Sequence, residues 1–502
     1  MKILKALFSR VSFTILMILA DIALVYGIYH YFDSKYVWID YILRILGIIV
    51  VIYITNNSTH LSADVMWIII ILIFPVPGTI IYFLLFTNLL PSRTYRNLKD
   101  TYNEALIYYP NNRHILDELV KKDKDISGQF KYIDNYANYP FYDNSSIEYY
   151  PSGEDGYPEI LKELKKAKKF IFIEYFIIKE GEMWDSILEI LEDKVKQGVD
   201  VRVIYDDLGS FTSLSAFYQK TLEKKGIKCI PFNRINPVIG SIANHRDHRK
   251  ILVIDGKVAF SGGINISDEY INLIHKHGYW KDNVIKIKGD AVWSYTVMFL
   301  THFNALRHTD DDYFKFRAKP RKIDGDGYIA PYGETPLDSE TVSQNIYLNI
   351  INEAKKYCYI FTPYLIIDNE MVNALLLARK RGVDVRIVTP GVPDKKLVYS
   401  ITKSYFKALI AGGIKIYKYT PGFIHSKVFV CDDTIATVGT INLDYRSLYL
   451  HFENGTYIYK ASVIKDIKKD VLDTIACSHE VKLEECKSHF FISILKVFAS
   501  MM

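Results

Sequence analysis

Two histidine–lysine pairs stand out in this chain. His248-Arg249-Lys250 is followed after four residues by Asp255, and after six more by Gly262-Gly263-Ile264-Asn265. His425-Ser426-Lys427 is followed at the same intervals by Asp432 and by Gly439-Thr440-Ile441-Asn442. Two imidazoles and two ammonium groups suit a phosphodiester. The lysines, with the amides of Asn265 and Asn442, would neutralise charge on the non-bridging oxygens as it shifts in the transition state. One histidine can attack phosphorus, while the other protonates the departing alkoxide and later deprotonates an incoming alcohol. Neither task needs a metal, no carboxylate cluster to hold one is visible, and no cofactor is expected.

A nucleophilic histidine needs an acceptor on its far nitrogen, so that the correct tautomer faces phosphorus. Glu453 and Asp282 are the candidates, each a few dozen residues beyond its own histidine. Asp255 and Asp432 count with the catalytic motifs. Their places at strand–turn junctions nevertheless predict a structural task, bonding backbone or an arginine. Gly262 and Gly439 suit tight turns or a close approach of backbone to phosphate. His245 is an even candidate for the pocket's flank. His275, His277, His302, His308, His451, His479 and His489 lie in no motif and default to structural roles.

The elements around the motifs can be read. Lys250–Asp255 is an apolar strand ending at the turn Asp255-Gly256-Lys257, from which Val258–Phe260 returns. Residues two apart on a strand face the same side, so His248 and Lys250 project together. Upstream, a helix over 157–169, a strand Phe170–Ile178, a helix over 183–197 and a strand Val201–Tyr205 spell a mixed α/β fold. The second half repeats these words. Ala167-Lys168-Lys169-Phe170 returns as Ala354-Lys355-Lys356-Tyr357, and Gly198-Val199-Asp200-Val201-Arg202-Val203 as Gly382-Val383-Asp384-Val385-Arg386-Ile387. Three anchors recurring in order point to duplication. Two α/β domains about a pseudo-two-fold axis would then set their motifs face to face.

At 502 residues the chain exceeds one ordinary domain. We read a membrane region at 1–90, a connector at 91–156, a first catalytic domain at 157–325 and a second at 326–502. The polar stretch 308–340 is in part a linker, and the apolar end FFISILKVFASMM is expected to pack on its domain. A net charge of +5, from 62 basic against 57 acidic residues, is too weak for a nucleic-acid binder and suits an anionic lipid surface. The five cysteines form no CxxC pair and read as free thiols, with Cys358 and Cys431 in strand-like runs.

Three apolar runs, 11–31, 39–55 and 64–86, predict N-terminal transmembrane helices, the second marginal and the third broken by Pro75-Val76-Pro77-Gly78. No cleavage site follows the first. Basic residues at Lys2, Lys5 and Arg10 and at Arg93, Arg96 and Lys99 place both flanks, and the catalytic region, on the cytoplasmic side of the cell membrane. The expectation is thus a multi-pass protein integral to the membrane.

The paired motif resembles that of the phospholipase D superfamily: HxK, four residues, D, six residues, G[SGT]xN, twice per active site. Within it the chain is similar to the bacterial cardiolipin synthases. That likeness rests on Ile173-Glu174-Tyr175-Phe176, Thr362-Pro363-Tyr364, Tyr279-Trp280-Lys281-Asp282 and Tyr419-Thr420-Pro421-Gly422-Phe423-Ile424 before His425. It rests also on Asn442-Leu443-Asp444-Tyr445-Arg446-Ser447 with Phe452-Glu453-Asn454. The resemblance implies phospholipase D-like α/β/α domains. It implies transfer of a phosphatidyl group between two phosphatidylglycerol molecules, with release of glycerol, through a phosphatidyl-histidine. His248 would be the nucleophile and His425 the acid/base, reversibly given the symmetry, with Glu453 serving His425. Glu174, Tyr175, Thr362, Tyr364 and Arg446 would sit at the rim or behind the first layer. Gly263 and Thr440 depart from a commoner Ser, Asp247 from an Asn before the first histidine, and His451 from an Asn before Phe-Glu. A phospholipase D-type hydrolase, or transfer to another alcohol, is the alternative. A nuclease is disfavoured by the weak charge, and a non-enzymatic scaffold by the intact motifs. Homo-oligomers are compatible with all of these.

Overall fold

The computed structural model describes residues 37–57, 61–75 and 93–486, with interruptions at 235–244, 310, 320–322 and 324, together with Tyr26, Gly27, Gly78, Thr79, Tyr82 and Lys496. The chain divides into two units, one of residues 1–91 with 235–244 and one of 92–234 with 245–502.

In the first unit the helices Val37–Asn57 and Leu61–Ile73 pack through Val50, Ile54 and Ile71, while Ile42, Ile45, Ile49 and Ile52 are exposed. Among the described residues no helix is long and apolar enough to cross a membrane. This corrects the expectation of N-terminal transmembrane helices, and with it the integral-membrane arrangement and the multi-pass cell-membrane location. The physical reasons lie in the runs themselves. Val37–Asn57 carries Asp40 and Arg44 and ends in Thr55-Asn56-Asn57. Leu61–Ile73 has 13 residues, which rise only about 20 Å against a hydrocarbon core of about 30 Å. Nearly all of the run 11–31 lies outside the described residues, as does nearly all of the C-terminal apolar tail.

Among the described residues the second unit holds two large sheets and two small two-stranded ones. Strands β1 (Ser145–Tyr150), β2 (Phe170–Tyr175), β3 (Asp200–Asp206), β4 (Lys228–Phe232), β5 (Lys250–Ile254), β6 (Val258–Gly262), β7 (Tyr279–Lys281) and β8 (Val284–Gly289) belong to the first half. The second half supplies β9 (Tyr328–Glu334), β10 (Tyr357–Phe361), β11 (Leu365–Ile366), β12 (Asp384–Pro390), β13 (Lys415–Tyr419) and β14 (Gly422–Ile424). It continues with β15 (Val428–Cys431), β16 (Ile435–Gly439), β17 (Leu443–Asp444), β18 (Glu453–Tyr459) and β19 (Ser478–Glu480). The first sheet runs β1-β8-β6-β5-β2-β3-β4. Read in the same direction, the second runs β9-β18-β16-β15-β10-β12-β13-β19. The orders coincide strand for strand, with β19 added at one edge. In each, the last repeated strands pair in parallel and the motif hairpin pairs antiparallel.

The edge strands come from stretches with little sequence pattern. β1 lies in the segment read as a connector, and β9 in the segment read as partly linker. Both are held in register by a neighbour, β1 by β8 and β9 by β18. The strand expected over Phe170–Ile178 stops at Tyr175. Beyond it the backbone N–H of Ile177 is donated to Asn265 Oδ1 and that of Ile178 to Ser210 Oγ, so the chain leaves the sheet. One core spans both halves. Phe172, Val253 and Ile285 of the first sheet, Phe299 of the helix Val292–Arg307, and Val430 and Ile458 of the second sheet share it. Cys358 and Cys431 face each other across β10 and β15, buried and free. The hydrogen bond with Cys358, together with burial, pushes the Cys431 thiol up.

Candidate active site

The turn after each motif strand explains the motif aspartate. Asp255 takes a left-handed backbone conformation, and its carboxylate accepts from the backbone N–H groups of Lys168, Lys169 and Phe170. Asp432 does the same for Lys355, Lys356 and Tyr357. Each aspartate thereby ties the far end of its motif strand to the start of the neighbouring strand. Neither reaches the histidines, which lie at the other end.

At that other end the halves are laced together. His248 donates its backbone N–H to the Phe452 carbonyl at 2.8 Å, and Phe452 returns one to Arg246. His425 donates to the Lys281 carbonyl at 2.7 Å, and β14 pairs in parallel with β7. Each histidine is therefore seated beside the residue that precedes the other half's carboxylate. The side chains follow. His248 Nδ1 lies 2.8 and 2.9 Å from the Glu453 oxygens, and His425 Nδ1 lies 2.6 Å from Asp282 Oδ2. This crossing reverses the sequence expectation, which gave each histidine the carboxylate of its own half. Linear distance along the chain is a poor guide where two duplicated domains exchange their edges. A carboxylate on Nδ1 fixes that nitrogen as the donor and leaves the Nε2 lone pair for chemistry.

The lysines sit behind the rings. Lys250 Nζ donates to the His248 carbonyl at 2.7 Å, and Lys427 Nζ donates to the His425 carbonyl. Burial, with the charge of Lys427 nearby, pulls Lys250 down to about 7. Burial likewise pulls Lys427 down to about 8. Burial and the two lysines push His248 well below its usual value, and the His425 charge adds to this. Burial and Lys427 bring His425 down to about 4. Each of these groups resists a charge that a bound anion would stabilise.

The two carboxylates differ. Burial lifts Glu453 well above the usual carboxylate range, against the pull of Lys250 and a hydrogen bond from the Thr440 hydroxyl. Asp282 is buried too, yet the charges of His425 and Lys427 and the His425 hydrogen bond hold it below that range.

The glycines and asparagines frame the pocket. Gly262 has φ +139°, and a side chain there would meet the Asn283 carbonyl at 2.5 Å. At Gly439 it would meet the Asn454 carbonyl at 2.4 Å. Both are therefore required for close packing of motif strand and carboxylate strand. Asn265 accepts from Ile177 and donates to the Tyr270 hydroxyl, holding its loop. Asn442 is buried, with no partner on Oδ1 among the described residues. Arg446 follows the cap of the short helix Tyr445–Tyr449, and its charge acts on Asp444 and His451. Thr362 accepts from Leu443 N, and Tyr364 donates to Asp394, so both brace loops near the second motif.

Glu174 does not join this group. It is fully buried behind the site, donated to by His302 Nδ1 at 2.8 Å, with Arg249 at 3.9 Å and Asp247 in the same cluster. Burial raises Glu174 to about 7 and lowers His302 to about 3. Glu174, Asp247 and His302 bring one ligand atom each within 4.8 Å of one another, a convergence invisible in the sequence. The Arg249 guanidinium already answers their charge, so the set fits a cation poorly.

Two further contributors had no motif to announce them. Asp206 forms a buried ion pair with Arg246 at 2.7 Å and accepts from the backbone of Asp247, fixing the approach to His248. His451 lies with its ring 6.0 Å from that of His248. Its place directly before Phe452-Glu453 was the available signal. Phe176 completes the wall at His248, and Tyr270 and Trp280 that at His425.

The chain is similar to known proteins. The family model described as "Cardiolipin synthase, PLD-like domain" matches residues 160–291 and 347–473. A cardiolipin synthase of Clostridium perfringens is 34% identical over 85% of this chain and 90% of its own length. One of Halalkalibacterium halodurans is 31% identical over 88% and 87%. An "uncharacterized protein" of Streptococcus mutans is 45% identical over 86% and 94%. The crystal structure of phosphatidylserine synthase from Haemophilus influenzae has the same fold, with TM-score 0.57 at 18% identity over 73% of this chain and 96% of that one.

Proposed function

The chain belongs to the cardiolipin synthase family built on phospholipase D-like domains, and on that premise we propose that it transfers a phosphatidyl group between two phosphatidylglycerol molecules. The observation that carries this reading is the crossed pair of histidine–carboxylate contacts, His248–Glu453 and His425–Asp282, which makes one pocket of two motifs.

In the proposed reaction His248 Nε2 attacks phosphorus and the bond to glycerol breaks. His425, which takes up a proton on Nε2 as the anionic lipid binds beside it, gives that proton to the glycerol alkoxide, leaving a phosphatidyl-histidine at His248. The free hydroxyl of a second phosphatidylglycerol then passes its proton to His425 and attacks phosphorus. The P–N bond breaks, cardiolipin leaves, and both histidines return to their starting states. Lys250 and Lys427 stabilise charge on the non-bridging oxygens. The carboxylates support these roles. Asp282 keeps its negative charge and supports an imidazolium at His425, as an acid/base requires. Burial and Lys250 push His248 down, which favours the neutral ring that keeps its lone pair.

The test supplies the purified protein in mixed micelles with labelled phosphatidylglycerol. Cardiolipin and glycerol in equal amounts are expected. Phosphatidic acid without cardiolipin would replace this reading with a hydrolase, in which water rather than lipid reaches the phosphoenzyme.

A further inference from the structure

At the far end of the first motif strand lies a second basic recess. Six residues of largely extended chain separate Asp255 from His248, about 20 Å. There a cavity of about 370 Å³ is lined by Lys166, Lys168, Lys257, Lys288, Arg317 and Lys319. The volume is within the range of small-ligand sites. The acids of the lining are already engaged. Asp255 binds three backbone N–H groups, Asp290 accepts from Asn144 at 2.7 Å, and Glu163 pairs with Lys166 at 3.1 Å and Lys288 at 3.6 Å. Lys168, Lys257 and Lys319 form no ion pair among the described residues.

Two further features add positive potential and rigidity. The helix Val292–Arg307 begins at the cavity, where Trp293 lines it, and its N-cap Ala291 offers no side-chain cap. The positive end of its dipole lies there, while the Trp293 backbone N–H is donated to the Asp290 carbonyl and the Ala291 N–H to Ser145 Oγ. Gly256, at φ +64°, brings the turn so close to residues 316–318 that a side chain would meet the Phe316 carbonyl at 2.6 Å. That contact holds Lys257 beside Arg317 and Lys319. Arg317 is in turn laid over the Trp293 ring at 5.2 Å.

We propose that this recess is a second anion site, taking a phosphate-bearing group while the histidine pocket holds another. Its ligand is a multiply charged phosphate, carried either by a soluble small molecule or by an anionic lipid headgroup. The proposal does not depend on which phospholipid reaction the histidines perform.

Inorganic pyrophosphate is the first probe, titrated calorimetrically into the full chain at low salt. Lys257→Glu with Lys319→Glu should weaken one binding event at least about tenfold. Lys250→Met with Lys427→Met should leave that event in place. Binding that survives the first pair and vanishes with the second would overturn the proposal, as would no binding to the unmodified chain. Lys319→Ala, a change at an exposed side chain, serves as a second variant if the double charge reversal fails to fold, and it should weaken the same event. Flotation with vesicles of four parts phosphatidylcholine to one part phosphatidic acid separates the sources. Vesicle binding lost in the Lys257→Glu/Lys319→Glu chain and competed by pyrophosphate assigns the site to a headgroup. Vesicle binding unchanged by that pair, alongside the pyrophosphate event, assigns it to a soluble phosphate.

Discussion

His248 rests on Glu453 through two nearly equal contacts, whereas His425 rests on Asp282 through a single shorter one. The residue after the motif glycine differs in step. In one half Thr440 gives its hydroxyl to Glu453. In the other, Gly263 stands where any Cβ would come within 1.8 Å of Asp282 Oδ1. The longer acid needs a clamp to hold it, and the shorter acid needs bare backbone to fit beside it. The protonation tendencies diverge accordingly, with Glu453 pushed up and Asp282 held down. Duplication supplied two copies of one design, and the substitutions around the carboxylates make them unequal. In the proposed reaction, that inequality suits one copy of the motif to attack and the other to transfer the proton.

The largest expected effects test the division directly. His248→Ala and His425→Ala should each lower lipid turnover by about 10⁴-fold or more. A phosphodiester with a good leaving group separates them, because such a group needs no proton. With a p-nitrophenyl phosphodiester, His425→Ala should still release a burst of p-nitrophenol and His248→Ala should not. The opposite result would exchange the roles of the halves.

Next come the carboxylates. Glu453→Gln and Asp282→Asn should each cost about 10²- to 10⁴-fold, since a carboxylate fixes the tautomer and steadies the imidazolium. If the crossed pairing holds in solution, Glu453→Gln impairs the p-nitrophenyl substrate and Asp282→Asn largely spares it. Gly263→Ala should behave as Asp282→Asn does, because the added methyl occupies the space of the carboxylate. A Glu453→Gln chain that kept its burst would break the pairing.

How far could the sequence be read? The motif duplication, the strand–helix–strand order and the convergence of two histidines and two lysines follow from local pattern, and the structure has all of them. The partner of each histidine does not, because Phe452 and Lys281 are brought to the opposite half by pairing between β7 and β14 and by the bridge at Asp247. Such exchanges are tertiary and leave no spacing behind. Edge strands β1 and β9 were hidden for a related reason. Their register is imposed by β8 and β18 rather than by their own polar, Tyr-rich sequences. The Glu174–Asp247–His302 cluster joins a strand, a loop and a helix far apart in the chain. The apolar N-terminal runs erred in the other direction, since hydrophobicity alone could not show that a helix would stop at Ile73.

The lysines give an effect of intermediate size. Only the protonated forms stabilise the phosphoryl oxygens, and burial holds Lys250 at about 7 and Lys427 at about 8. Activity is therefore present below these values and lost as pH rises through them. The profile of kcat/KM should show an alkaline limb starting near pH 7 and falling up to about tenfold per unit. Lys250→Arg should move the limb upward, because a guanidinium does not deprotonate in this range. A limb unmoved by that change would assign it to the other half-site, and so to Lys427.

The smallest effect bears most closely on the inequality of the halves. Thr440→Val keeps the volume but removes the hydroxyl from a fully buried carboxylate. The loss of one such hydrogen bond is worth about 1.5–3 kcal/mol in isolation, but Glu453 keeps both contacts to His248 and the attraction of Lys250. A fall in turnover of only about three- to tenfold is expected, with the burst from the p-nitrophenyl substrate slowed to the same degree. The restoring change at the mirror position is closed, since Gly263 cannot take a threonine without displacing Asp282. If Thr440→Val instead matched Glu453→Gln in severity, the hydroxyl would be fixing the geometry of Glu453 rather than merely adding to it. The two halves would then differ in how their acids are held, as well as in which acid they use.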